Sequence, residues 1–209
     1  MYALLALTAT LTGLYPLIYL MIDRRFGLLG LKDDALLLHI FWNVGFYTHI
    51  GLGGLALLTG WIQFSKKFRL RRLTWHRNIG KVYVVSVLLS ALAGIYIGFF
   101  STGGIIAATG FISLGVIWFY TTLKAYLYIK AKNTEGHEKM MIYSYAACFG
   151  AVTLRIWLPF LISIFDDFYI AYKIVAWLSW VLNLMVAYLI IRNKKRVYRR
   201  RQAVIQHKI

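Results

Sequence analysis

Six apolar runs, separated by short charged or glycine-rich stretches, follow one another along the chain. They fall at about 2–22, 37–64, 79–100, 104–130, 139–165 and 168–191. Each is near the ~20 residues that a helix needs to cross a bilayer. Asp23-Arg24-Arg25 through Lys32-Asp33-Asp34 ends the first run, and Lys66 to Arg72 separates the second from the third. Ser101-Thr102-Gly103-Gly104 is a tight turn, Lys130 to Glu138 the next break, and Asp166-Asp167 the last. The pattern predicts an all-α integral membrane protein, a six-transmembrane-helix bundle forming a single polytopic membrane domain over 1–209. Its central four-helix core is spans two to five (37–165), with helix 1 at 2–22, helix 6 at 168–191 and a basic tail at 192–209. The N-terminus has no basic n-region and no clear cleavage pattern, so the first run reads as a retained helix, with Pro16 as a kink.

Composition agrees. Sixty per cent of the residues are hydrophobic, and 24 Lys and Arg face only 7 Asp and Glu. A net charge of +17 raises the question of nucleic acid. The basic residues sit in alternate loops and the tail, however, and topology explains them, so no nucleic-acid partner is expected. Lys66, Lys67, Arg69, Arg71, Arg72, Arg77 and Lys81 crowd the second loop, Lys130, Lys132 and Lys139 the fourth, and Arg192 to Arg201 the tail. Both termini and loops two and four are therefore expected in the cytoplasm, in a bacterial inner membrane. The bilayer is the first partner, with anionic lipid at the basic loops and tail. The single cysteine, Cys148, lies in an apolar run and reads as packing.

Topology converts sequence position into depth. No Asp or Glu interrupts the apolar runs, yet His49 and Arg155 lie within them. Ionisable residues at that depth are costly, which makes each a site hypothesis. His49 is about twelve residues into span two, roughly 18 Å, and Arg155 is about 18 residues past His137, roughly 27 Å. Both belong to an outer layer that Asn43 and Asn183 could join. His76, just before span three, and His137, just before span five, share the cytoplasmic edge, where Gln63 also ends span two. Gly45, His49, Gly53, Ala56 and Gly60 share one helix face, which suits close helix packing or a flat group beside the imidazole.

Two imidazoles from different helices make the axial pair of a b-type haem. His76 and His137 fit that role, with Arg77, Lys81 and Arg72 as partners for the propionates. The bland reading is that each caps a helix start or sits at the headgroup level. Zinc or copper would want more ligands than the neighbouring Glu138, Met140 and Met141. Arg155 reads as a partner for an anionic ligand, as part of an ion pathway, or as a side chain bonded to backbone carbonyls. No nucleophile triad, H-E-x-x-H or phosphate loop is present.

The ordered set His49-x-x-x-Gly53-Gly54-x-Ala56-Leu57-x-x-Gly60-x-x-Gln63-Phe64, His76-Arg77-x-x-Gly80-Lys81-Val82-Tyr83, Gly110-Phe111 with Trp118, His137-x-x-x-Met141 and Ala151-Val152-Thr153-Leu154-Arg155 resembles a bacterial membrane-protein family, domain of unknown function 2306 (DUF2306). The likeness covers spans two to five and implies a fold more than an activity. A looser resemblance is to cytochrome b561-type di-haem proteins, which have six helices, both termini inside and histidine ligands on the four central helices. Span four here has no histidine, which leaves an outer haem on His49 without its second ligand.

The leading expectation is therefore a redox or electron-transfer module binding haem b through His76 and His137, with oxidoreductase as the enzymatic class it would join. His49, Arg155 and Asn43 would form an outer pocket, with a quinone or redox protein as partner. The alternatives are a cofactor-free protein that binds or transports a small anionic ligand or lipid through the His49/Arg155 pocket, and a structural subunit of a larger membrane complex.

Overall fold

Every apolar run folds as helix, and the reversals fall where charge or glycine interrupts it. The computed structural model describes residues 2–21, 23, 25 and 27–206. Ile22 at the end of the first run, Arg24 in its loop and His207 in the tail lie outside the described residues, as do the side chains of Lys195 and 197–206. No strand occurs among the described residues. The helices are α1 (Tyr2–Leu14), α2 (Asp34–Leu38), α3 (Ile40–Gln63), α4 (Lys66–Arg71), α5 (Leu73–Gly98), α6 (Gly104–Lys130), α7 (Thr134–Cys148), α8 (Gly150–Phe165) and α9 (Phe168–Gln206). Among the described residues four stretches are long and apolar enough to cross a membrane: Leu73–Gly98, Gly104–Lys130, Thr134–Phe165 and Phe168–Lys194. The apolar stretch Ala3–Tyr19 is shorter. In α3 the glycines, His49 and Gln63 dilute the hydropathy.

The observed boundaries differ from the expected ones for local reasons. Span one is α-helical only to Leu14 and then tightens into a 3₁₀ stretch, Tyr15–Leu20, that begins at Pro16, whose missing N–H suits a first turn. Span two is divided at His39, whose Nδ1 accepts from the Trp42 N–H and caps α3. The loop after it is itself helical in α4, capped by the Ser65 hydroxyl accepting from Phe68 N–H. Helix α5 starts at Leu73, so His76 lies in its first turn rather than before it. Likewise His137 lies in the first turn of α7, behind an Asn133 cap. The basic tail continues α9 instead of leaving it.

The main departure is in span five, which breaks at Phe149 between α7 and α8. An uninterrupted helix would offer the Ala146 carbonyl to the Gly150 N–H. Here the Asn183 amide of α9 donates to that carbonyl at 3.2 Å and to the Thr153 hydroxyl at 3.1 Å. The Thr153 hydroxyl lies 2.5 Å from the Ser179 carbonyl of α9. Polar insertion into the hydrogen-bond ladder is a recognised cause of a kink.

Helices α3, α5, α6 and α7 form a ring in which each packs on the next. Helix α1 lies on α3, and α9 lies against α6, α7 and α8. Beyond the break, α8 pairs with α9, and no α3–α8 backbone approach occurs among the described residues. Small residues set the closest crossings. A Cβ at Gly54 of α3 would lie 2.5 Å from the Gly13 carbonyl oxygen of α1. Backbone cannot move aside as a side-chain tip can, so Gly54→Val should undock α1. Faster amide hydrogen exchange over residues 3–19 would show it; unchanged exchange would refute this packing.

The end bearing the loops around α4 and between α6 and α7 carries the basic residues and is called the basic end below. Glu138 of α7 and Lys194 of α9 pair there at 2.6 Å. At the opposite end Arg25 and Asp34 pair at 2.5 Å. The Lys32 ammonium donates to the Phe100 carbonyl, and burial holds its pKa below the ordinary value. These exposed pairs orient loops more than they stabilise the fold.

Candidate functional site: a histidine level and an outer crevice

The ring is filled along its axis by a chain of hydroxyls. Tyr83, Thr122 and Ser144 are fully buried. The Thr122 hydroxyl donates to the Trp118 carbonyl at 2.7 Å. Its single proton is thereby used, so at 2.6 Å it accepts from Ser144. Ser144 in turn accepts from Tyr83 at 2.8 Å. The proton order Tyr83 to Ser144 to Thr122 to the Trp118 carbonyl follows from this inventory. The Trp118 indole lies beside Tyr83 without hydrogen-bond geometry.

This chain fixes the register of α5 against α7. Both helices start at the basic end, and the Tyr83–Ser144 bond marks one common level. Seven residues back along each stand His76 and His137. The step is the same on both, roughly 10 Å. Each histidine continues an inward face: His76 with Gly80 and Tyr83, His137 with the buried Met141, Ser144 and Cys148. The two imidazoles therefore come level from helices diagonal in the ring, whose backbones do not touch among the described residues. They lie within electrostatic reach of each other and of Arg69 and Arg77.

The imidazoles differ in their bonds. The His137 Nδ1 lies 2.9 Å from the Ala125 carbonyl of α6. A carbonyl only accepts, so Nδ1 carries the proton and Nε2 keeps its lone pair. The His76 Nδ1 is buried with no hydrogen bond, and so is the Gln63 amide nitrogen. Beside them Gly80 leaves room: a Cβ there would meet only the Gln63 amide oxygen, at 3.6 Å. Orphaned polar atoms next to a glycine gap are what a site for a further group requires. Arg77 and Lys81 share an exposed face of α5 at this end. Glu138 is spent on Lys194, and no three His, Cys, Asp or Glu groups gather as a metal cage among the described residues. The donor set suits a group needing two axial nitrogens.

Farther from the basic end lies the outer layer. The His49 Nδ1 is 2.9 Å from the Ser90 carbonyl of α5, while the Ser90 hydroxyl donates to the His49 carbonyl at 2.8 Å. The ring rests against Gly94, where a Cβ would come within 2.7 Å of Nδ1. Nδ1 again holds the proton, and Nε2 makes no hydrogen bond among the described residues. Arg155 of α8 is exposed, donates once to the Ala151 carbonyl at 2.8 Å, and sits 4.5 Å from the centre of the Tyr15 ring. It lies within electrostatic reach of His49 and of Tyr19. The expected pairing of His49 with Arg155 is present.

Asn43 instead serves the α2–α3 joint, its amide donating to the Leu37 carbonyl at 2.8 Å, and Asn183 serves the α7–α8 break. Cys148 is buried in the core, as its apolar context suggested. Sequence reasoning missed Tyr83, Thr122, Ser144 and Ser90, and also Tyr15 and Tyr19. The one available signal was spacing: Tyr83 and Ser144 follow their histidines by the same seven residues.

A family model described as predicted membrane protein (DUF2306) matches residues 46–191, and the chain belongs to that family. No curated protein and no solved structure matches the chain.

Proposed function

We propose that this DUF2306 protein is a membrane-embedded redox module that holds haem b between His76 and His137. The observation carrying the proposal is the common level of the two imidazoles, seven residues below one hydrogen bond that joins their helices. In support, the Ala125 carbonyl orients His137 and raises the basicity of Nε2, as outer-shell partners of ligating histidines do. His76 and Gln63 bring buried polar atoms that lack partners within the protein. Arg77, Lys81 and Arg69 provide positive charge for two propionates. A bound haem would supply a one-electron couple. The residues around it orient the ligands and, through the buried Tyr83–Ser144–Thr122 chain, close the level toward the middle of the bundle.

The same proposal sets the whole chain in the inner membrane of a bacterium. The Ala3–Tyr19 stretch and α3 complete six spans around the four apolar stretches. The basic end faces the cytoplasm with both termini, against anionic lipid.

Visible spectra of the purified protein, oxidised and then reduced, test this. We expect a Soret band that shifts on reduction. His76→Ala and His137→Ala should each lower haem content at least about tenfold, since even outer-shell changes move metal affinity on that scale. Absence of a Soret band in the unaltered protein after haem supplementation would rule the proposal out.

A further inference from the structure

We infer that the outer crevice between α3 and α8 binds a lipophilic hydroquinone-type head group, a ring with one oxygen that accepts a hydrogen bond and one hydroxyl that donates. The site is separate from the histidine level and does not depend on haem there. Its donor is Arg155. One guanidinium N–H is used on the Ala151 carbonyl, and the others make no hydrogen bond among the described residues. No carboxylate neutralises it: the acidic residues of the chain lie outside the apolar interior. Its acceptor is His49 Nε2, left with a lone pair because Nδ1–H is committed to the Ser90 carbonyl.

Shape and access agree. The 3₁₀ turn after α1 brings Tyr15 over Arg155 and Tyr19 beside it, two aromatic walls 6.3 Å apart and edge to face. Helices α3 and α8 have separated at this depth because α8 has turned to α9. Arg155 and its neighbour Ile156 are both exposed, so the crevice opens on the apolar flank, where a hydrocarbon tail can leave. A simple anion matches less well. It would satisfy Arg155 but meet the Nε2 lone pair with another lone pair. A hydroquinone satisfies both, accepting from Arg155 through one oxygen and donating to His49 through the other.

The test is anaerobic binding of decyl-ubiquinol to the full-length protein in nanodiscs. Decyl-ubiquinone, the dimethyl ether of the quinol and decyl phosphate serve as comparison probes. We expect the quinol to bind at least about tenfold more tightly than the quinone or the ether, which lack the donor, the scale of one well-made hydrogen bond. His49→Asn can keep the donor to Ser90 but removes Nε2, and it should erase that difference. Arg155→Gln should weaken quinol and quinone alike. Equal binding of quinol and ether to the unaltered protein overturns the proposal, whatever the variants do. So does a quinol preference that survives His49→Asn in a monodisperse sample. Tighter binding of decyl phosphate, lost in Arg155→Gln, would identify a phosphate site instead.

Discussion

Gly60→Ala should lower the melting temperature of the purified protein by about 10 °C, corresponding to about 3 kcal/mol for a chain of this size. A Cβ at this position would lie 2.4 Å and 2.5 Å from ring atoms of Tyr145 and 2.8 Å from the Tyr83 ring. Neither ring can step aside. Tyr83 is fully buried and bonded to Ser144, and Tyr145 is 4% exposed with its hydroxyl on the Leu57 carbonyl. Gly60 is where α3 closes the ring against α7, so the strain falls on the joint between them. Gly51 of the same helix is the control. A Cβ there meets nothing within 4 Å, so Gly51→Ala should be neutral or slightly stabilising through helix propensity. A Gly60→Ala protein that melts with the unaltered one would show that the closure is loose.

The second large effect is expected at Ser144. Ser144→Ala removes the middle hydroxyl of the buried chain and strands the Tyr83 hydroxyl without an acceptor. An interhelical hydrogen bond in a bilayer protein averages only about 0.6 kcal/mol. A stranded buried polar group costs more, about 1–3 kcal/mol. The larger figure governs here, because Tyr83 has no water-facing alternative. The double variant Tyr83→Phe/Ser144→Ala should therefore be more stable than Ser144→Ala alone, since it removes the stranded donor. Thermal melts of the four members of the cycle give the coupling directly. Additive losses would mean that the two hydroxyls do not act together.

The parts of this architecture that were legible in the chain are those set by solvent and by local spacing. Breaks in hydropathy located the spans, because lipid demands continuous apolar helix. Depth counted along those spans brought His76 level with His137, and His49 near Arg155. The illegible parts depend on partners distant in sequence. Nothing near Phe149 announces a break that Asn183, more than thirty residues later, helps to make. Tyr83, Thr122 and Ser144 read as ordinary members of apolar runs, since hydroxyls on a helix can satisfy themselves on their own backbone. Only the assembled ring shows that they serve one another. Tyr15 over Arg155 likewise needs α1 docked through Gly13 and Gly54. At the starts of α5 and α7 the error was smaller. Charged residues were taken as loop, whereas Arg72 and Asn133 cap helices that run on through them.

The break at Phe149 also bears on the order in which the protein is assembled. A carbonyl stripped of its helical partner in lipid costs several kcal/mol, and the Ala146 carbonyl finds its substitute only on α9. Until that last helix is inserted, the favourable course for residues 134–165 is one straight rod. The bend is then a product of the final insertion step. The outer crevice, which exists because α8 leans away, is completed only when synthesis of the last span delivers Asn183.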